Sequence, residues 1–392
     1  MPFSIFRTKK QKIIAILDIG SASVGGAIVE LKKGEIPNIL FSTREDMVFQ
    51  NDLNMSRFIS SMLQATEKVL EKFEKYGQEK PHSFFCILSS PWYESKTKIL
   101  KIRKDKQIII TDKTLDELIQ KQSLDFSSII NKSDKINEHI EVIDVKNMQI
   151  KLNGYETSNP YGKSAKNIDI ALFVGLSSKK VIQSIEDRIS RVFYIKDVAF
   201  STFSLASFSA IRDIFLDKKN FLMLDVTGEV TDVSLVEDGV LVESTSFPIG
   251  KNFLIRRISN ELNTTSVEAV SFIEMINSNK GNKEMNMRVG KILKQAGEKW
   301  RGSFIKSLSR ISSDIHTPNT VFFTADGNMV KWLTSSIKKE ETDKISPYNN
   351  LQDVYFLSGK LLKNFCMFKK MTKKDPFIIL EAIFINKDRN IF

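Results

Sequence analysis

The chain is poor in the residues of metal and disulfide chemistry. It has two cysteines, Cys86 and Cys366, and three histidines, His82, His139 and His316, among 392 residues. There is no Cys-x-x-Cys pair, and no two histidines stand at helical ligand spacing, so the usual zinc modules are excluded. So little cysteine fits a reducing compartment such as the cytoplasm. Long apolar runs are missing too. The stretch 377–385 is interrupted by Glu381 and falls well short of the roughly 20 residues that span a bilayer. Residues 1–12, MPFSIFRTKKQK, lack the apolar centre of an export signal. No Ser–His–Asp or Cys–His arrangement stands out, which leaves nucleophilic hydrolysis without candidates.

What is present belongs to a folded chain. Apolar residues make up 42% and charged residues 27%, too apolar a balance for a mainly disordered protein. The length predicts two or three domains. Lys+Arg 58 against Asp+Glu 47 gives a net charge of +11. The lysines are spread among acids along the chain, which describes a solvated surface rather than a nucleic-acid footprint. Two clusters are denser: Arg7, Lys9, Lys10 and Lys12 at the start, and Lys369, Lys370, Lys373 and Lys374 near the end. At the start Phe3, Ile5 and Phe6 precede the cations. Apolar residues beside cations suit an anionic membrane surface, and a disordered basic tail is the alternative.

One pattern occurs twice. The apolar run 13–17 stops at Asp18 and is followed by a small polar turn, Ile19-Gly20-Ser21-Ala22-Ser23. A strand over 24–31, a turn at Lys33-Gly34 and a strand over 36–41 come next. A helix is then predicted from Phe58, Ile59, Met62, Leu63, Thr66, Val69, Leu70 and Phe73, which repeat with a 3.6-residue period. The second copy starts 207 residues later, with Asp225 in the place of Asp18. Run 221–224, turn 226–229, strand 230–236, Asp238-Gly239 and strand 240–247 repeat the order. Pro248-Ile249-Gly250 then opens a helix through Phe253, Ile255, Ile258 and Leu262. Between the copies the sequence predicts a strand over 84–89, a hairpin of 98–101 with 107–110, and a helix after Thr111. A polar loop over 123–137 follows, then a strand over 140–152 ending in an Asn153-Gly154 turn, a strand over 168–174 and a helix over 179–192. The stretch 377–385 is predicted to be a final core strand. Trp92, Trp300 and Trp332 are expected in the core.

The duplicated turns carry the chemistry. A magnesium triphosphate needs closely approaching backbone N–H groups, hydroxyl donors, and carboxylates that hold the ion through water. Asp18, Gly20, Ser21 and Ser23 supply this set in one half, and Asp225, Gly228, Thr231 and Asp232 in the other. A plain hairpin turn explains either copy alone; two copies at matching positions favour phosphate binding across a cleft.

The segment LDIGSASV (17–24) resembles the first phosphate loop of the actin-like ATPases, LDVTGEVTDV (224–233) the second, and VFFTADGNM (321–329) the adenosine loop. The insert, with Asn153-Gly154-Tyr155 and Asn159-Pro160-Tyr161-Gly162, resembles the cell-division protein FtsA; the basic-aromatic start resembles the pilus protein PilM. The resemblance covers roughly residues 12–363. It implies an α/β, two-lobed actin-like fold (a duplicated ribonuclease H-like unit) with a small inserted α+β subdomain. The expected divisions are a tail 1–12, first-lobe core 13–83, insert 84–167, return 168–215, second lobe 216–335 and a closing part 336–392.

The resemblance further implies ATP and Mg2+ as ligands, with Asp18 and Asp225 positioning metal and water. Gly20, Ser21, Ser23, Gly228, Thr231 and Asp232 would lie about the phosphates, and Gly327 under the adenosine. Implied partners are further copies of the chain, a tubulin-like division protein or pilus components, and the inner face of the membrane; no nucleic acid is expected. Alternatives are a pilus platform in place of a division scaffold, a nucleotide-free binding module, and a sugar-kinase-like enzyme, for which no catalytic carboxylate is evident. The sequence departs from the family pattern. Thr227 and Glu229 replace two of three glycines, Ser23 replaces a basic residue, and Ala325-Asp326 replaces Gly-Gly. A carboxylate at about 4 Å from an anionic ligand costs on the order of 1–4 kcal/mol. ATP binding is therefore expected to be weak or vestigial, with at most slow turnover.

Overall fold

The computed structural model describes residues 11–115, 117, 139–157, 159–311, 318–338, 351 and 353–387. Phe3, Ile5, Phe6, Arg7, Lys9, Lys10, the loop 123–137 and His316 lie outside them.

The first lobe is built on β1 (Gln11–Ile19), β2 (Ser23–Lys32) and β3 (Asn38–Asp46). Helix α1 (Met55–Tyr76) and β4 (Ser83–Leu88) follow. The side chain of Asn54 caps α1 by accepting from the Arg57 N–H, and Gly77, at φ 56°, ends it. The apolar stripe of α1 lies on the sheet, as its period predicts; Met62, Val69 and Leu70 are fully buried.

A second sheet is then inserted from β5 (Tyr93–Ile109), β6 (Ile140–Leu152), β7 (Tyr155–Glu156) and β8 (Ser164–Ser178), in the order β5-β8-β6-β7. The turn between β6 and β7 is Asn153-Gly154, both at positive φ. The hairpin expected of 98–101 and 107–110 is instead one strand. Its register on β8 shifts between Arg103 and Ile108; the intervening Lys-Asp-Lys-Gln has neither glycine nor proline to reverse the chain and is taken up as an irregularity within the strand. The inserted sheet begins after β4, which pairs with β1, and includes all of β8.

The chain returns through α2 (Lys179–Phe193), β9 (Val198–Thr202) and α3 (Phe203–Ile214). The second lobe comprises β10 (Phe221–Val226), β11 (Thr231–Glu237), β12 (Val240–Phe247), α4 (Lys251–Leu262), α5 (Ser266–Asn277) and α6 (Lys283–Ile311). It continues with β13 (Thr320–Ala325), α7 (Val330–Ile337) and β14 (Asp353–Phe356). The two lobes have the same topology. The first sheet runs β15-β3-β2-β1-β4-β9 and the second β12-β11-β10-β13-β14, so a three-strand meander is extended by two parallel strands in each. The additional edge strand β15 (Met367–Phe368) follows the short helix α8 (Gly359–Leu362) and pairs parallel with β3.

The final strand expected over 377–385 is a helix, α9 (Pro376–Asn386). Asp375 accepts from the Phe377 N–H and Pro376 stands in the first turn, which is a helix start signal. Helix α9 is apolar on every side because it is buried on every side. It packs against α3, β1 and β2, in an apolar core that also takes in Phe221, Met223 and Phe322 of the second lobe. The tryptophans Trp92, Trp300 and Trp332 are all buried.

Candidate functional site

The β1–β2 and β10–β11 hairpins bring their turns face to face. Ser21 Oγ donates to Thr227 Oγ1 at 2.7 Å and accepts from the Glu229 N–H at 2.9 Å. A Cβ on Gly228 would stand 2.6 Å from Ala22 Cβ and 2.7 Å from the Ser21 carbonyl oxygen, so only glycine permits this approach. The turns are also held from behind. Trp92 Nε1 donates to the Gly20 carbonyl at 2.7 Å. The N–H groups of Lys251 and Asn252 donate to the carbonyls of Thr227 and Gly228 at 2.9 and 2.8 Å. The first turn of α4, where an anion would find free N–H donors, is thus occupied by protein carbonyls.

Asp18 is buried, and its Oδ2 receives Arg44 Nη2 at 2.5 Å. Arg44 also donates to Ser23 Oγ at 3.0 Å and, through Nε, to Asp375 at 2.8 Å. The basic group missing from position 23 is therefore delivered by β3. Gly25, in register with Arg44, leaves room for it: a Cβ there would lie 2.6 Å from Nη2. Burial works against the charge of Arg44, but Asp375 and Asp18 hold it well above its ordinary value. Behind Asp18 stands Glu381 of α9, fully buried and without a hydrogen-bond partner as a carboxylate. Burial, then the charge of Asp18, pushes Glu381 well above the carboxylate range, which favours its acid form facing Asp18. Burial raises Asp18 as well, with Arg44 opposing.

On the other side Asp225 Oδ1 accepts from Thr324 Oγ1 at 2.7 Å, while its Oδ2 is buried and unpartnered. Burial and the facing charge of Asp232, its register partner, drive Asp225 well above the carboxylate range, and Asp18 adds to the effect. Asp232, which receives Tyr93 Oη at 3.3 Å, is pushed up to about 6 by burial. A cavity of about 10 Å³, roughly the space one water needs, lies beside Asp225 and Asp232, and a polar pocket of about 270 Å³ lined by Ser90, Tyr93 and Ser244 also reaches Asp232.

A magnesium triphosphate does not fit the seam in this closed form. The two turns are in contact, Asp18 is committed to a guanidinium, and Asp225 is buried with one oxygen on Thr324. Among the described residues no group of three or more His, Cys, Asp and Glu is placed to hold a metal ion. Thr231, expected at the phosphates, is buried below the turn; its Oγ1 donates to the Ile249 carbonyl at 2.6 Å and accepts from Trp300 Nε1 at 3.1 Å. Gly327 lies in a short turn with open space over its Cα, next to Asp326, which Lys251 ties to the start of α4. The two acids expected to repel a nucleotide are both neutralised by α4. Glu229 is gripped by the fork of Arg256 and by Asn252, and Asp326 by Lys251 at 2.5 Å.

Sequence reasoning missed Arg44, Glu381, Asp375 and Arg256. Two signals pointed to them. Gly25-Gly26 in mid-strand marks a close approach, here of Arg44 and of Phe73, and Glu381 in an apolar run marks a buried acid with a charged neighbour. Away from the seam, an apolar groove of about 370 Å³ separates the insert from the first lobe, lined by Met55, Ile59, Pro91, Trp92, Ile140 and Val181 among others.

The sequence matches no protein-family model and no curated protein. Its structure is similar to a chain of a PilM–PilN type IV pilus biogenesis complex, with a TM-score of 0.64, 10% identity and 97% of each chain covered. Ethanolamine utilization protein EutJ from Carboxydothermus hydrogenoformans superposes at 0.46 and 9% identity, over 97% of this chain and 90% of that one. A Bacteroides thetaiotaomicron protein described as having an actin-like ATPase fold superposes at 0.38 and 9%, over 98% and 99%. With the duplicated topology, the first of these likenesses shows the two-lobed actin-like fold.

Proposed function

We propose that the chain is a PilM-like platform, an actin-fold scaffold that acts through protein contacts while its interlobe seam stays shut. The observation that carries this reading is the direct contact of the two turns, Ser21 on Thr227 and Gly228 on Ala22, where a phosphate chain would lie. Binding of ATP with Mg2+ requires that contact to open and Arg44 to leave Asp18, so affinity is low and turnover does not drive the protein's work. Likeness to a complex that includes PilN favours pilus components as partners over a tubulin-like division protein. The groove beside Trp92 suits an extended apolar segment of such a partner. The scaffold would sit in the cytoplasm, peripheral to the inner face of the membrane, with Phe3, Ile5, Phe6, Arg7, Lys9 and Lys10 toward the lipid.

Equilibrium titration with a fluorescent ATP analogue and Mg2+, with Asp18→Ala as control, tests the reading. The expected result is weak signals of equal size from both proteins. Tight binding that Asp18→Ala abolishes would overturn it.

A further inference from the structure

The second lysine cluster has a structure that the seam and the groove do not use. Residues 359–374 contain six lysines, at 360, 363, 369, 370, 373 and 374, and no acid. They run along the outer edge of the first sheet and are fixed to it at both ends. Met367 N–H donates to the Pro37 carbonyl at 2.8 Å and Lys369 N–H to the Ile39 carbonyl at 3.0 Å. Further on, Ser42 Oγ donates to the Lys373 carbonyl at 3.1 Å, and Asp375 is tied to Arg44.

Between these fixed ends a tight turn, closed by Thr372 N–H on the Lys369 carbonyl at 3.1 Å, throws out Met371. Met371 is 96% exposed and sits at φ 72°, a left-handed conformation that an unbranched apolar residue rarely takes. The turn would be easier with glycine or asparagine, so the fold gains nothing from methionine here. Lys370, Lys373 and Lys374 are exposed beside it, and Met367 and Leu361 add further exposed apolar surface on the same segment.

We infer that this edge is a docking surface for an anionic lipid bilayer, with Met371 entering the interface and Lys370, Lys373 and Lys374 over the headgroups. An apolar tip in a collar of cations suits lipid better than a nucleic acid, which would offer phosphate but no apolar layer. The inference rests on the peripheral-membrane reading above and assigns it a structured surface besides the N-terminal segment. Each lysine near such a surface contributes about fivefold in partitioning.

Co-sedimentation of the full chain with phosphatidylcholine vesicles, with and without phosphatidylglycerol, tests it. The wild type is expected to pellet only with the anionic vesicles. Lys370→Gln/Lys373→Gln should lower partitioning about 25-fold. Met371→Gly should lower it about tenfold while raising the melting temperature, since glycine relieves the positive φ. A merely structural role for Met371 would not separate the two readouts. If the wild type ignores anionic vesicles, the peripheral reading fails and this inference with it. If the wild type pellets, the loop variants pellet equally and removal of residues 1–10 abolishes binding, only the inference on this edge is overturned. Displacement by duplex DNA that is unaffected by Met371→Gly would also overturn it, in favour of a phosphate-polymer site.

Discussion

Arg44 is the residue on which the seam depends. Its guanidinium lies between Asp18 and Asp375 and reaches Ser23. Truncation leaves two carboxylates without their counter-charge, one of them deeply buried. Arg44→Ala is therefore expected to lower the stability measured by urea unfolding by about 3 kcal/mol, and Arg44→Lys to recover only part, because a single ammonium nitrogen cannot reach the three acceptors that Nε, Nη1 and Nη2 reach separately. A loss within experimental error would contradict the assignment. The pH dependence comes from buried acids. Burial pushes Asp232 and Asp144 up to about 6 from 3.8; Ser90 and Tyr93 oppose in the first case, Ser201 and Thr202 in the second. A carboxyl whose pKa is raised by folding binds its proton more tightly in the folded state. Its stabilising contribution is therefore full below the unfolded value near 4 and lost as the pH rises through 6. Urea unfolding from pH 4 to 7 should show stability falling across that window. Asp232→Asn should remove part of the slope and raise stability at pH 7 by about 2–3 kcal/mol, with no gain at pH 4. A gain of equal size at both ends would show that Asp232 does not titrate there.

At the scale of elements, the turns of the two hairpins touch directly, and the start of α4 holds the second turn through the N–H groups of Lys251 and Asn252. Gly228→Ala places a methyl against Ala22 and the Ser21 carbonyl; it should lower the unfolding midpoint by about 1–3 kcal/mol equivalent. Gly327→Ala, at a turn with open space above it, should have little effect. Comparable losses in the two variants would mean that the turns do not touch. The hairpins were legible because each acid-ended strand is followed by turn residues and then by alternating strands, a signal that is local. So was α1, from its period. Helix α9 was not legible by periodicity, since a helix buried on all sides has no polar face to set a 3.6-residue rhythm; only Asp375-Pro376 announced it. The contents of the seam were half legible. Asp18, Ser21, Asp225 and Gly228 stand in conspicuous turns. Arg44 and Glu381 arrive from β3 and α9, and pairings across 26 and 363 residues leave no local pattern.

At the scale of the whole molecule, two sheets of like topology close on each other through α3 and α9, and the space between their turns is filled by the chain's own groups. Glu229 and Asp326, which would repel a nucleotide, are bound to Arg256 and Lys251, so in the proposed reading it is contact between the turns, not charge, that opposes a triphosphate. The platform role proposed above requires that this interlobe geometry persist in the presence of a nucleotide. The most direct test is a Ser21→Cys/Thr227→Cys double variant, in which the two side chains that touch across the seam are replaced by thiols; the native Cys86 and Cys366 are buried and do not compete. Mild oxidation followed by non-reducing electrophoresis should show rapid, near-complete intramolecular cross-linking at the same rate with and without Mg-ATP. Failure to cross-link, or cross-linking that Mg-ATP suppresses, would show a cleft that opens for nucleotide and would contradict the closed seam.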